Sequence, residues 1–152
     1  MRPARFAIRR AGPSDAPQAA RIVRDALAEH GLPFEPDGRD ADLALFGARP
    51  DHDDFVAEID ERAVGVVSVG PHGAPGVAWV SKLFVSPEGR RQGIGRALMI
   101  AAEDAARRRG YAEIGLRTRV VFRAANALYR ALGYAPRPAE LEPGEFVYFR
   151  AL

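Results

Sequence analysis

Three arginines and two glycines fall within seven residues in Arg90-Arg91-Gln92-Gly93-Ile94-Gly95-Arg96. Glycines bare the backbone N–H groups of a turn, and the first turn of a helix carries the positive end of the macrodipole. An apolar run, Val77–Val85, precedes this turn, and a helical pattern follows it. Arg90, Arg91 and Arg96 add full charges, so the arrangement suits a phosphate or pyrophosphate. A dinucleotide fingerprint needs a small residue three positions after Gly95, where Leu98 stands, and a P-loop needs Gly-Lys-Ser/Thr, which is absent. A second pair, Asn126 and Tyr129, lies three residues apart on a short helical pattern, which places an amide and a phenol on one face.

Other reactive chemistry is thin. The chain has no cysteine, which excludes disulfides, thiolate metal sites and a thiol nucleophile and points to a cytoplasmic protein. Asp51, Asp53 and Asp54 surround His52 just before a strand, where a solvated loop is expected and no metal site. No Ser–His–Asp order stands out. Arg107–Arg109 end a helix, where they offset its dipole, so no nucleic-acid partner is expected. Trp79 sits in mid-strand, a place that suits the core or the lining of a cleft. Lys82 is the only lysine. Residues 1–76 hold 9 Arg and 13 Asp+Glu, whereas residues 77–152 hold 13 Lys+Arg and 7 Asp+Glu. An anionic ligand therefore belongs with the second half, and a cationic one suits the first.

The elements that must position these groups follow from periodicity. Phe6 and Ile8 alternate with Arg5, Arg9 and Arg10 as a half-buried strand. Ser14 is a suitable N-cap for a helix that buries Ala19, Ile22, Val23, Ala26 and Leu27 and stops at Gly31. Asp40–Phe46 reads as a short helix or ordered loop, placed to act as a substrate-side lid. Asp54–Ile59 and Ala63–Val69 form an antiparallel hairpin whose turn lacks Asn-Gly. Val77–Val85 is apolar enough for the middle of a sheet. The helix after Gly93 buries Ile94, Ala97, Leu98, Ala101 and Ala105 and ends at Gly110; the strand around Ile114 and Leu116 should then run parallel to Val77–Val85. Ala124–Leu132 is a short helix with Leu128 and Leu132 inward, and Glu145–Arg150 is a last strand. The expectation is one mixed α/β domain over residues 1–152. No apolar run reaches the length of a membrane span, and the N-terminus lacks the apolar core of a signal peptide.

Over roughly Trp79–Tyr134 the order L-F-V-S-P-E-G-R-R-Q-G-I-G-R-A-L, then R-R-R-G-Y, A-E-I-G-L-R-T and A-A-N-A-L-Y-R-A-L-G-Y resembles the GNAT superfamily of acyl-CoA-dependent N-acetyltransferases. The resemblance implies a mostly antiparallel central sheet, flanked by helices, with one parallel βαβ crossover and a splayed strand pair. It implies acetyl-CoA as co-substrate, with no metal. Arg90, Arg91, Gln92, Gly93, Ile94, Gly95 and Arg96 would hold the pyrophosphate. The backbone of Leu83, Phe84 and Val85 would pair with the pantetheine arm. Asn126 would bond the arm, and Tyr129 would lie by the thioester sulfur and protonate the departing thiolate. Many relatives carry a glutamate base near the position of Trp79, so the base is unassigned here: Glu58, a water chain, or an amine that arrives neutral.

The resulting expectation is acetyl transfer to a primary amine of a small molecule or peptide, by direct attack in a ternary complex. Two readings from other classes stand beside it, a non-catalytic acyl-CoA-binding sensor and a basic nucleic-acid-binding module. A homodimer is compatible with the resemblance, and no membrane partner is expected.

Overall fold

The computed structural model describes residues 5–139 and 141–152. The first four residues of the arginine-flanked N-terminus lie outside the described residues. Ten elements carry the fold: β1 (Ala7–Arg10), α1 (Ala16–Glu29), β2 (Asp53–Ile59), β3 (Arg62–Pro71), β4 (Val77–Val85), α2 (Ile94–Arg108), β5 (Glu113–Arg119), α3 (Arg123–Ala131), β6 (Ala135–Pro136) and β7 (Glu145–Ala151). The seven strands form one sheet in the order β1-β2-β3-β4-β5-β7-β6. Among the described residues only β4 and β5 are parallel neighbours, joined by the α2 crossover, and β4 is the middle strand, as its apolar composition implies.

Helices cover both faces. On one, α2 and α3 pack Ile94, Leu98, Met99 and Tyr129 against Val67, Val80, Ile114 and Leu116. On the other, α1 and a 3₁₀ turn at Ala41–Leu45 pack Ile22, Val23, Leu43 and Phe46 against Val56 and Val66. Each such buried aliphatic side chain contributes roughly 1.5–3 kcal/mol.

The inward face of α1 is the one its spacing gives. That of α2 is rotated: Met99, Ala102, Glu103 and Ala106 are buried, while Ala97 and Ala101 are only half-buried. A helix capped on one side by a sheet and crossed by a second helix buries a wider arc than one stripe, and Glu103 is admitted because Tyr134 and Arg150 both donate to it, at 2.6 and 2.8 Å. Ser14 does not cap α1. It lies in a 3₁₀ turn, Pro13–Asp15, and the Asp15 carboxylate accepts from the Gly12 N–H and from Arg9 instead. In α3 the inward residues are Asn126 and Tyr129, with Leu128 and Leu132 half-buried. The β2–β3 turn needs no glycine: Asp60 and Glu61 both take positive φ, 49° and 63°, as the twist of a two-residue hairpin requires.

Asp53 closes the end of the sheet near β1. It is buried, and it accepts from Arg10 of β1 and from Arg109 at the end of α2, the latter at 2.6 Å. Burial pushes its carboxyl up, but the two guanidinium bonds outweigh burial and hold it below the usual carboxylate range. A carboxyl whose pKa is depressed on folding adds stability above its unfolded pKa and loses it as pH falls through the folded one. Asp53→Asn is therefore expected to lower stability at pH 7 by about 1–2 kcal/mol, the modest size reflecting the partial exposure of both arginines. The difference between variant and parent should shrink as the pH falls below the ordinary carboxylate range, in urea unfolding followed by circular dichroism.

Candidate active site

A cleft of about 830 Å³ opens in the sheet where β4 and β5 stop pairing. Their register runs from Val77↔Glu113 to Val80↔Leu116 and then ends, although β4 continues to Val85 and β5 to Arg119. Two features drive the strands apart. On its other edge β4 is bulged: Ser81 pairs with Ser68 and Phe84 with Val66, so Lys82 and Leu83 together oppose Val67. Lys82 takes φ 57°, and a bulge of this kind bends and twists its strand. Meanwhile β5 stays antiparallel to β7 as far as Arg119↔Glu145 and is drawn with it. The backbone of Ser81–Phe84 therefore faces the gap with no strand opposite.

The bulge is pinned from the other face. Lys82 Nζ donates to Asp40 Oδ1 at 2.7 Å and lies 3.6 Å from Asp42. Asp40 also accepts from the Glu35 N–H at 2.9 Å. The single lysine thus ties residues 35–42 to the bulge, and the Asp40–Phe46 stretch is ordered as a 3₁₀ turn whose Leu43 and Phe46 are buried while Leu45 is 54% exposed.

At one end of the cleft lies the glycine turn. Gly93 has φ 82° and caps α2, and the first helical bond runs from the Ala97 N–H to its carbonyl. The N–H groups of Ile94, Gly95 and Arg96 are therefore left without acceptors in the helix. Open space surrounds the site of a Gly93 Cβ, whereas a Cβ on Gly95 would approach Leu128 Cδ2 of α3 to 3.3 Å. Arg90, Arg91, Gly93, Ile94 and Gly95 line the cleft. Gln92 and Arg96 do not: the Gln92 amide donates to the Glu88 carbonyl at 3.0 Å, and Arg96 is exposed. Arg90 is committed as well. It grips Glu29 of α1 through two bonds, at 2.6 and 2.9 Å, and its Nε donates to the Val85 carbonyl. Those bonds hold the Glu29 carboxyl below its usual range. Arg91, at φ 63°, makes no ion pair among the described residues.

Leu83, Phe84 and Val85 line one wall, and Tyr129 lies on the other. The Tyr129 ring is buried against Tyr134 and Tyr148, each at 6.0 Å between centroids, and its hydroxyl makes no hydrogen bond among the described residues. Burial pushes its phenol well up, so it stays protonated throughout the neutral range. Asn126 shares its helix but not the cleft. Its Nδ2 donates to the Arg119 and Phe122 carbonyls at 2.9 and 2.8 Å, and its Oδ1 accepts from the Tyr148 hydroxyl at 3.1 Å. That amide ties the end of β5 to the start of α3 and so holds the wall that carries Tyr129.

The far end of the cleft is aromatic. Trp79 stacks on His72 at 4.1 Å and meets Phe149 edge-on at 6.0 Å. It pairs with Gly70 on one side and Gly115 on the other, and a Cβ on Gly115 would come within 2.6 Å of Phe149 and 3.0 Å of Trp79. Glu58 is not part of this site. It lies on β2 opposite Ala7 and is bonded to Arg9 at 2.9 Å. The carboxylates that do line the cleft are Glu29, Asp40 and Glu145, of which the first two are ion-paired. Arg117, Arg119 and Arg123 also line it and were not singled out by sequence motif. The alternation in E-I-G-L-R-T-R carried that signal, since Ile114, Leu116 and Thr118 are buried on one face and Arg117 and Arg119 share the other.

Residues 20–134 match the Acetyltransferase (GNAT) family, three quarters of the chain, and the chain belongs to that family. It is 38% identical over 84 residues to human N-acetyltransferase 8, a match that covers 53% of this chain and 37% of that protein. It therefore spans well under half the length of that relative. It is 28% identical over 134 residues to the uncharacterized Escherichia coli N-acetyltransferase YjgM, covering 84% of this chain and 80% of that one. The fold is also that of PaiA N-acetyltransferase from Thermoplasma acidophilum, solved in complex with coenzyme A, with a TM-score of 0.79 at 15% identity over 97% of this chain and 99% of that one. Among the described residues no helix is long and apolar enough to cross a membrane. Nor, among them, is there a cluster of His, Asp and Glu suited to a metal ion.

Asp40 is 4% exposed, so removing its cation leaves a buried charge unpaired. Lys82→Met is expected to cost about 3 kcal/mol and to release residues 35–46. Hydrogen exchange should show lost protection there, with the β2–β3 hairpin spared.

Proposed function

We propose that the protein transfers an acetyl group from acetyl-CoA to a primary amine, by direct attack in a ternary complex. The observation that carries this reading is the gap beyond Val80 and Leu116, with the glycine turn at one end and an unpartnered tyrosine hydroxyl on its wall. The free N–H groups at the start of α2, together with Arg91, suit the pyrophosphate of coenzyme A. The unpaired backbone of Leu83, Phe84 and Val85 suits an extended pantetheine arm laid beside β4 as an added strand. That PaiA N-acetyltransferase, which shares this fold, was solved in complex with coenzyme A supports an acyl-CoA co-substrate. Arg90 acts by positioning: it fastens the turn to α1 and leaves the phosphate to Arg91. Asn126 likewise orients α3 and makes no bond to the arm.

In the transfer step the neutral amine nitrogen attacks the thioester carbonyl carbon. The C–N bond forms, the C–S bond breaks, and the thiolate leaves with the electron pair. A backbone N–H at the bulge, near Leu83, stabilises the oxyanion. Tyr129 gives its proton to the sulfur, and the proton shed by the amine restores the phenol through solvent. Burial keeps the phenol protonated at neutral pH, so the proton is in place when the thiolate departs, although the same shift weakens the phenol as an acid. Glu58 has no part in taking the amine proton. Glu145 is the cleft carboxylate left outside the ion pairs, and it or water accepts that proton.

Two variants test the two ends of the cleft. Gly93→Asp places a carboxylate at the helix N-terminus where the pyrophosphate would lie. It should weaken acetyl-CoA binding at least ~100-fold in calorimetry, with the circular dichroism spectrum retained. Unchanged affinity would refute the phosphate site. Tyr129→Phe should lower kcat by about 10²-fold or more while the acetyl-CoA Kd moves less than about threefold. An unchanged kcat on an accepted amine would remove Tyr129 as the acid.

A further inference from the structure

The cleft holds more positive charge than the cofactor's phosphate end accounts for. Its lining includes Arg39, Lys82, Arg90, Arg91, Arg117, Arg119 and Arg123, against Glu29, Asp40 and Glu145. Lys82 and Arg90 are neutralised by Asp40 and Glu29. Arg91 and Arg123 stand on the turn and at the start of α3, on the sheet face that carries α2. The phosphates belong there in the acetyl-transfer reading, because the free N–H groups at the start of α2 lie at that turn. Arg117 stands elsewhere. The buried alternation of β5 turns Ile114, Leu116 and Thr118 towards α2 and α3, so Arg117 projects from the opposite face. On that face it is two residues along from Gly115, the residue paired with Trp79. Its register neighbour on β7 is Val147; Arg119, on the same face and farther from Trp79, stands opposite Glu145 in the register without an ion pair to it. On the β4 side the strands have already parted. Arg117 therefore presents an uncommitted guanidinium to the gap, beside the Trp79–His72 stack, and makes no ion pair among the described residues.

Resting on the acetyl-transfer reading above, we propose that the acceptor is an aromatic α-amino acid, whose carboxylate is bound by Arg117 and whose ring lies against the Trp79–His72 wall. A guanidinium grips a carboxylate through two charge-assisted bonds. Apolar, aromatic surface at the cleft end provides for the side chain. The α-amine is then held between these anchors and the gap where the thioester lies. The same charge disfavours polyamines and other polycationic acceptors, which would meet Arg39, Arg117 and Arg119 with no free carboxylate save Glu145. The acidic balance of the first half of the chain had suggested a cationic ligand there, but Asp40, its contribution to the cleft lining from the lid, is spent on Lys82.

The test uses matched acceptors and one amine-free mimic with the full chain. Thiol release with acetyl-CoA, with N-acetyl product identified by mass spectrometry, is measured for tryptophan and for tryptamine, which lacks the carboxylate. In the parent protein kcat/KM for tryptophan should exceed that for tryptamine by about 10²-fold. In Arg117→Gln that ratio should fall to within a few-fold of one. Differences in amine basicity survive the mutation and cancel from the comparison, and general damage to the fold lowers both rates without moving the ratio. Separately, binding of indole-3-propionate to the coenzyme A-loaded protein is followed by calorimetry, with saturable binding expected for the parent and loss of at least 10-fold in affinity for Arg117→Gln. Binding without turnover of any amine would uphold the anionic aromatic subsite and overturn the transfer reading. Turnover with no preference for tryptophan, or a preference untouched in Arg117→Gln, would overturn the subsite and leave transfer standing. Neither binding nor turnover would overturn both.

Discussion

The parting of β4 from β5 is the constraint on which the rest depends. A parallel pair in mid-sheet normally runs on until one strand ends, because each broken rung leaves backbone N–H and C=O groups unpaired. Here the pair lasts only from Val77 to Val80 on β4, yet both strands continue. The separation is built in from both sides. The bulge at Lys82 and Leu83 turns β4 one way, and the unbroken β5–β7 ladder holds β5 the other. The unpaired backbone is what a ligand can complete, so the cost of the break is recovered when an extended chain lies in the gap. Asn126 has the same purpose at one remove, since its three bonds fasten the end of β5 to α3 and β7.

Charge in the cleft is organised by what is already neutralised. A chain with one lysine uses it where a compact ammonium is wanted, between two aspartates beneath a strained bulge. Arginines supply the wider contacts: Arg90 forks onto Glu29, and Arg109 reaches Asp53 and the Pro50 carbonyl together. What remains free is asymmetric across the sheet. Among the described residues, Arg91 and Arg123 stand on the elements of the α2–α3 side, and Arg117 and Arg119 project from the other face of β5. Two anionic groups can therefore be held on opposite faces of one opening, with Tyr129 on the wall between. This arrangement suits a reaction in which cofactor and acceptor approach from different sides.

Much of this was legible in the chain because it is local. The turn residues, the limits of β4, the crossover and the pairing of Asn126 with Tyr129 on one helix all follow from glycine placement and short periodicities. The misreadings share a cause. Ser14 has the side chain of an N-cap, but α1 begins without a side-chain cap bond; the preceding 3₁₀ turn takes up Ser14, and Asp15 is spent on the Gly12 N–H and on Arg9 of β1. The inward arc of α2 was too narrow because helical spacing alone cannot show that α3 and β7 bring Tyr134 and Arg150 to Glu103. Glu58 was considered as a base on its strand position, and its bond to Arg9 is a contact across 49 residues.

The sequence by itself determined the family, the mixed sheet with one parallel crossover, and the glycine turn that opens α2, since each depends on residues near one another in the chain. Tertiary structure decided which of those residues remain free to act. Arg90 and Arg91 are neighbours with the same side chain, yet one is locked to Glu29, which lies 61 residues away, and the other is not. Asn126 and Tyr129 share a helix face, yet the amide makes three hydrogen bonds and the hydroxyl none among the described residues. Whether a polar group is available depends on what the fold brings against it, and pairing across the fold leaves no local mark in the sequence.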